Sequence, residues 1–259
     1  MLTPLGGTPL ISAGPEHGRD SDGIDWKWER HSSENVFYAS LAQALHRNTP
    51  RGAVVLEIGV GSGHALTDLY RSLDCRCYGV DILPSAVAVA RRMALSATAS
   101  VHLVIGSGFA LPFPDGAFDR VMSHGVIEHF SPDRARELVR EHARVCRPGG
   151  RVLISAPNAL DLLHTIHRWS LGRRYPYWPE RSYRPLALAR ELKAVGLIPV
   201  AIDGYGPFWS LRQSRLLYPL GAALFKVGLL DRLAAISNPR LLAWCGNMVL
   251  QVGEKPRGE

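Results

Sequence analysis

Residues 54–63 read Val54-Val55-Leu56-Glu57-Ile58-Gly59-Val60-Gly61-Ser62-Gly63, and this stretch decides the fold. An apolar run carrying one acid near its end has the pattern of a strand buried on both faces. The alternate glycines behind it let the chain turn sharply and let a ligand touch bare backbone. His64 to Leu73 then reads as a helix whose N-terminus offers unpaired N–H groups to an anion. Nucleotide-like cofactors sit at such a strand–loop–helix junction. Cys75 to Val80 forms a second short apolar strand, closed by Asp81. An acid about 20 residues past the glycines can take both hydroxyls of a ribose. The dinucleotide fingerprint G-x-G-x-x-G would require glycine at position 64, whereas this chain has His64 there and Gly63 one place earlier. A Rossmann-like domain holding NAD or another nucleoside stays open on this motif alone.

The pattern Glu57-x-Gly59-x-Gly61-x-Gly63 followed by Asp81 resembles the class I S-adenosylmethionine (SAM) dependent methyltransferases, and within them the type 11-like small-molecule enzymes. Further segments match that family in order. Val101 to Gly106 reads as a third strand. Ser107-Gly108-Phe109-Ala110-Leu111-Pro112-Phe113-Pro114-Asp115-Gly116-Ala117-Phe118-Asp119 is similar to the family's link between strands three and four, which borders the adenine. Phe118 to Gly125 resembles strand four, Val126 to Phe130 the segment after it, and Val145 to Gly150 the turn into strand five. The similarity runs well over roughly 50–160 and loosely over 185–205. Five ordered motifs set the NAD reading far back.

The resemblance implies a Rossmann-like doubly wound α/β fold, with seven strands, mostly parallel, and an antiparallel last strand. It implies SAM as cofactor, with S-adenosylhomocysteine as product. By position in the motifs, the cofactor residues are Glu57, Gly59, Gly61, Gly63, Asp81, Ile82, Ser107, Gly108, Phe109, Ser123 and His124. One departure stands out. The family often has an acid after the glycine that ends strand three, and it accepts from the adenine amino group. Here that place holds Ser107, whose hydroxyl also accepts but carries no charge. Ser107 as a plain turn residue is equally open.

A chain of 259 residues suits one large α/β domain with additions. With 46% hydrophobic and 20% charged residues, it can build an ordinary core. Cys75 and Cys77 alternate within a strand and read as buried core, and no cysteine spacing suggests zinc or a disulfide framework. The start lacks the pattern of a secretory signal, and no apolar run approaches a membrane span. A soluble cytoplasmic enzyme, without stable membrane insertion, is the expectation. The net charge of +7 permits nucleic-acid binding. No RNA-binding module and no base-methylating motif accompany it, so no nucleic acid is expected.

The segment 1–24 is rich in Gly, Pro and Ser and reads as mobile. The methyltransferase domain is expected over 25–259. Its first part, 25–48, holds a helix near Asn35 to His46 and forms a helical lid, with Trp26, Trp28, Phe37 and Tyr38 as lid candidates. Phe37 reads first as packing. A second lid is expected at 159–184, where Trp169, Tyr175, Tyr177, Trp178 and Tyr183 alternate with Arg168, Arg173, Arg174, Arg181 and Arg184. Aromatic faces beside guanidinium groups can hold a planar or anionic substrate. The same composition serves a solvated loop over packed tyrosines. Trp28, Tyr38, Trp169, Arg174, Tyr177 and Tyr183 are the candidate substrate residues. Residues 207–245, rich in leucine and alanine, form a helical insertion before the last strand. It is expected to cap the pocket, meet a second subunit in a homodimer, or touch a lipid surface. Lys226, Asp231 and Arg232 interrupt its apolar run and favour the first two.

The expected activity is transfer of a methyl group from SAM to a small-molecule acceptor, at a hydroxyl oxygen, in natural-product biosynthesis. Methylation at carbon or nitrogen of a lipid-like or carrier-bound substrate is the alternative. A SAM-binding cyclase and a non-catalytic partner of another methyltransferase are the readings from other classes. The sulfonium leaves readily, so aligning the nucleophile is the main task. A hydroxyl nucleophile also gains from a base. His129 and His124 follow strand four, and histidine titrates near neutrality. Glu128 can orient His129. The bland alternatives are that His124 lines the methionine end of SAM and that His129 bonds backbone. No cluster of acids follows strand four, so no metal is expected.

Overall fold

The computed structural model describes residues 35–175, 180–206 and 238–258. Seven strands run in the order β3-β2-β1-β4-β5-β7-β6. They are β1 (Val54–Ile58), β2 (Arg76–Asp81), β3 (Val101–Ile105), β4 (Phe118–His124), β5 (Cys146–Pro157), β6 (Ile198–Tyr205) and β7 (Met248–Glu254). The pairs among β3, β2, β1, β4 and β5 are all parallel. β7 runs antiparallel to both β5 and β6. The chain thus turns outward from β1 in both directions, to β2 on one side and β4 on the other. At that switch point, strand ends and their loops diverge and leave a crevice.

The helices in chain order are α1 (Asn35–Asn48), α2 (His64–Leu73), α3 (Pro84–Ser96), α4 (Pro132–Val145), α5 (Leu162–Leu171), α6 (Pro185–Lys193) and the short α7 (Pro239–Leu242). Their starts follow local chemistry. Ser131 caps α4, with its Oγ accepting from the Arg134 N–H, and Pro132 follows in the first turn. Asp161 caps α5 through the His164 N–H, and Pro185 opens α6. Strand residues alternate between two buried layers. Leu56, Ile58, Val121, Val152 and Ile154 pack toward α4 and α6, while Val55, Met122 and Leu153 pack toward Leu41, Leu45, Leu66 and Leu69 of α1 and α2. Cys75 and Cys77 are buried free thiols, as the strand pattern suggests.

Three boundaries differ from the sequence reading. β5 starts at Cys146 rather than 151, because Cys146 pairs with Phe118 across a register irregularity. β2 begins at Arg76. β6 spans Ile198–Tyr205, where the sequence alone suggests a strand over Pro199 to Ile202, because β7 supplies paired positions as far as Tyr205↔Met248. That extension needs Gly204, where any Cβ would stand 2.1 Å from the Leu242 backbone. The segment 1–34, residues 176–179 and most of the expected insertion, 207–237, lie outside the described residues. From the insertion's end, Pro239–Leu242 is helical, as expected. Among the described residues no helix is long and apolar enough to cross a membrane.

α1 is fastened to the far edge of the sheet. Asn48 Nδ2 donates to Asp203 at 3.1 Å, Arg47 pairs with the same carboxylate at 3.1 Å, and Arg120 Nε donates to the Asn48 carbonyl at 2.5 Å. The Gly206 N–H donates to Ser40 Oγ at 3.0 Å.

One buried group sets a pH dependence of stability. His142 in α4 has no exposed surface, and its Nδ1 lies 2.7 Å from the Leu138 carbonyl. Burial lowers its pKa from 6.5 to about 4. The unfolded chain takes up the proton near 6.5 and the folded one only near 4, so stability is full above that window and falls as pH drops through it. The shift corresponds to about 3 kcal/mol. Urea denaturation at about pH 5 and pH 7 should show His142→Gln losing about 2 kcal/mol less between the two than the parent. Equal losses in both proteins would assign the acid sensitivity elsewhere.

Candidate active site

The three loop glycines all hold left-handed backbone, with φ of 76° at Gly59, 50° at Gly61 and 76° at Gly63. Only glycine takes such angles in series without strain. Space is equally tight. A Cβ on Gly59 would stand 2.5 Å from Val126 Cγ2, and one on Gly63 would stand 3.0 Å from the Ala90 Cα. Gly63 also precedes α2 without any side-chain cap, so the first-turn N–H groups face outward, available to an anion.

Asp81 braces this loop from the end of β2. Its Oδ2 accepts the Gly61 N–H at 3.0 Å and its Oδ1 the Leu83 N–H at 2.9 Å. Burial nevertheless raises its pKa, against the lowering by the backbone donors of Leu83, Gly61 and Ile82. Glu57 is buried beside it, and no described atom partners its Oε2. Burial, and then the charge of Asp81, push the Glu57 carboxyl well above the usual carboxylate range. A glycine cradle, an uncapped helix start and two buried acids fit a ligand with a carboxylate, a ribose and positive charge, which is the chemistry of SAM. Ile82 lies exposed beside Asp81.

α1 lies over the same loop. The Tyr38 ring stacks on His64, with centroids 4.3 Å apart, and its hydroxyl lies 3.4 Å from Ser62 Oγ. This brings one expected lid residue to the glycine loop. Trp26, Trp28, Tyr177 and Trp178 lie outside the described residues, and so does the Phe37 side chain.

At the exit of β4 the structure separates the two histidines. His124 Nδ1 lies 3.0 Å from Ser155 Oγ, which lies 2.6 Å from the Tyr205 hydroxyl. The residue as a whole is half-buried, but its Nε2 is shielded from solvent and no described atom partners it. Burial lowers the His124 pKa from 6.5 to about 4, so its ring is neutral near pH 7. Ser123 is fully buried, and its Oγ too lacks a described partner. His129 ends a 3₁₀ turn (Ile127–His129) and is half-buried. Glu128 turns inward instead. Its Oε1 would lie 3.4 Å from a Cβ on Gly125, its Oε2 has no described partner, and its backbone oxygen accepts the Arg181 N–H at 3.0 Å. Burial, then the Glu180 charge, raise its pKa well above the usual range.

Other expected residues take less direct places. Ser107 Oγ accepts the Phe109 N–H at 3.2 Å, the bond of a turn residue. A Cβ on Gly108 would meet Ile58 at 2.7 Å and Leu138 at 2.8 Å, so core packing accounts for that glycine. Phe109 packs edge-on to Phe130 at 5.0 Å, under the Arg134 guanidinium. Tyr183 is buried, and its hydroxyl accepts from Arg181 Nη2 at 2.5 Å. Trp169 and Arg174 are exposed. Sequence reasoning missed Ser155 and Tyr205. The only local signal for Tyr205 was its place between Gly204 and Gly206.

Residues 56–154 match the family model described as a methyltransferase domain. This stretch is a class I SAM-dependent methyltransferase domain. The domain's chain is 31% identical to ajmaline N-methyltransferase of Rauvolfia serpentina, over 42% of this chain and 37% of that protein. It is 33% identical to the protein named "Probable S-adenosylmethionine-dependent methyltransferase Rv3030" of Mycobacterium tuberculosis, over 66% of this chain and 55% of that one. The matches therefore span roughly a third to a half of these curated methyltransferases. Among solved structures, the [4+2]-cyclase SpnF superposes with a TM-score of 0.58 at 21% identity, covering 84% of this chain and 80% of that one. At that identity, the methyltransferase fold is what the two share.

Proposed function

We propose that this chain transfers a methyl group from SAM to a small-molecule acceptor, at a hydroxyl oxygen. The observation that carries the reading is the glycine loop held by Asp81 at the switch point of the sheet, beside the partly unpartnered Glu57. When bound, SAM supplies a methyl group activated by a sulfonium. The residues around it do the rest. Gly59, Gly61 and Gly63 admit the ligand to bare backbone, and the α2 N-terminus faces its carboxylate. The Asp81 oxygens have lone pairs left for ribose hydroxyls. Ile82 and Phe109 offer apolar surface to the adenine, and Ser107 offers a neutral polar group. Tyr38 closes over the loop, and His124 with His129 faces the reacting end. Tyr183, whose N–H donates to the Pro157 carbonyl at the end of β5, borders the acceptor side.

The direct test is calorimetric titration with SAM, followed by detection of S-adenosylhomocysteine on incubation with candidate alcohols and phenols. Binding without S-adenosylhomocysteine would favour a cyclase-like use of the cofactor. No binding would end this reading.

A pH signature accompanies it. Burial raises the pKa of both Glu57 and Asp81, so the free protein holds protons above the ordinary carboxylate range. Near a ligand carrying sulfonium and ammonium charge, their ionised forms gain. The complex then binds fewer protons than the free protein. SAM affinity should rise with pH across the window above about pH 4.5. Titrations in two buffers of different ionisation enthalpy should show net proton release. Affinity flat across the window, with no proton released, would show that these acids do not feel the ligand's charge.

A further inference from the structure

The outer face of α5 is apolar where the inner face is polar. Inside, His164 is buried with its Nε2 2.9 Å from Glu180 Oε1. The Tyr175 hydroxyl donates to Glu180 Oε2 at 3.2 Å, and Arg168 Nη1 donates to the Glu180 carbonyl at 2.6 Å. Outside, Leu162 is 69%, Ile166 61% and Trp169 85% exposed. Their spacing of four and three residues lines them along one stripe. A helix that packs on its own core shows the opposite arrangement.

A second element near the start of α5 also exposes apolar residues. Asp161, the cap of α5, also accepts from Asn247 Nδ2 at 3.1 Å. Asn158 Nδ2 donates to the carbonyls of Ala243 and Gly246 at 3.1 and 3.0 Å. These bonds hold the end of α7 against the start of α5. There Leu241 is 66% and Trp244 50% exposed.

Apart from Glu191 on α6, which pairs with Arg136 Nε at 3.2 Å, the exposed charge on these elements is basic. Arg173, Arg174, Arg184 and Arg240 are exposed. The acids of the described stretches 159–175, 180–190 and 238–247 are Asp161 and Glu180, both buried in the bonds above. Tryptophan, leucine and isoleucine facing outward within a rim of arginine match a helix that lies in a lipid headgroup layer. An anionic surface supplies the complementary charge.

We infer that the outer face of α5, with the turn after α7, seats this protein on an anionic membrane surface. α5 starts just beyond the carboxyl end of β5, on the same edge of the sheet as the glycine loop and His124. Seating it there turns the crevice toward the bilayer, so the acceptor is a lipid-like molecule drawn from it. That last step rests on the methyl-transfer reading of the crevice; the docking does not.

The test is flotation of the full chain with phosphatidylcholine vesicles, with and without phosphatidylglycerol. Flotation is expected only with phosphatidylglycerol and should weaken with salt. Each of Arg173→Gln and Arg174→Gln should weaken it about fivefold. The pair Ile166→Glu and Trp169→Glu should abolish it. These positions are exposed, so folding and SAM titration should stay at parental values. No flotation, parental flotation of the Ile166→Glu/Trp169→Glu protein, or a dimer in light scattering that this variant dissolves would overturn the proposal. SAM titration reports separately on the crevice. Flotation without SAM binding would leave the docking standing and remove the methyl-transfer reading.

Discussion

Asp81→Ala should lower affinity for SAM by at least about tenfold while the sheet stays folded. The expectation has two sources. The carboxylate accepts the N–H groups of Gly61 and Leu83 and so fixes the glycine loop. Removing it leaves the buried Gly61 N–H and the partly buried Leu83 N–H without their acceptor, and the loop then holds to β2 only through the Gly59 and Val60 N–H groups on the Val80 carbonyl. The ligand also loses an acceptor for its ribose hydroxyls, each charge-assisted bond counting for about 1.5–3 kcal/mol. Asp81→Asn keeps a carbonyl oxygen for one N–H and should fall between the two. Calorimetry gives the affinity, and circular dichroism with urea denaturation checks the fold. Parental affinity in a folded Asp81→Ala protein would remove Asp81 from the cofactor site.

With an acceptor that releases S-adenosylhomocysteine, His129→Ala should cut turnover by about a hundredfold with little change in SAM affinity. His124→Ala should act mainly on SAM affinity. The difference follows from where each ring lies. His124 is held through Ser155 to Tyr205, next to the loop that Val126 packs against. Its pKa of about 4 makes it a weak base at neutral pH. Burial holds the His124 pKa down, so a fall in activity near pH 6 to 7 that disappears in His129→Ala but persists in His124→Ala would identify His129 as the base. Tyr205→Phe breaks the far link of the relay and should mimic His124→Ala in weaker form. Full turnover of His129→Ala at saturating acceptor would mean that alignment alone suffices, as for a nucleophile already ionised in solution.

The parts of the fold legible in the sequence are those set by near neighbours. Val54 to Gly63 announces strand, turn and helix within ten positions, because burial on both faces and left-handed glycines each leave a local mark. Asp81 was legible because a strand of known length separates it from the glycines. Tyr205 was not. Its membership of β6 depends on pairing with Met248, across a segment whose length no periodicity fixes. Burial of Glu57 and Glu128 was hidden for a similar reason, since an acid in a strand or turn gives no sign of which way it faces. α5 shows the limit most directly. Composition picked out the tryptophan and arginines of 159–184 as a possible substrate wall. It could not show that Trp169 faces outward while His164 faces in, because only the Glu180 cluster decides which face turns inward.

The link between Asn48 and Asp203 bears on how the chain is made. The two residues are 155 positions apart. At a ribosomal rate of about 5–20 residues per second, roughly eight to thirty seconds pass between the emergence of α1 and that of its anchor on β6. During that interval Leu41 and Leu45 have α2 to lean on but not the strand edge that locks them. The nascent chain therefore holds an apolar helix face only loosely until Asp203 has been synthesised, and this is the stage at which chaperones would find it.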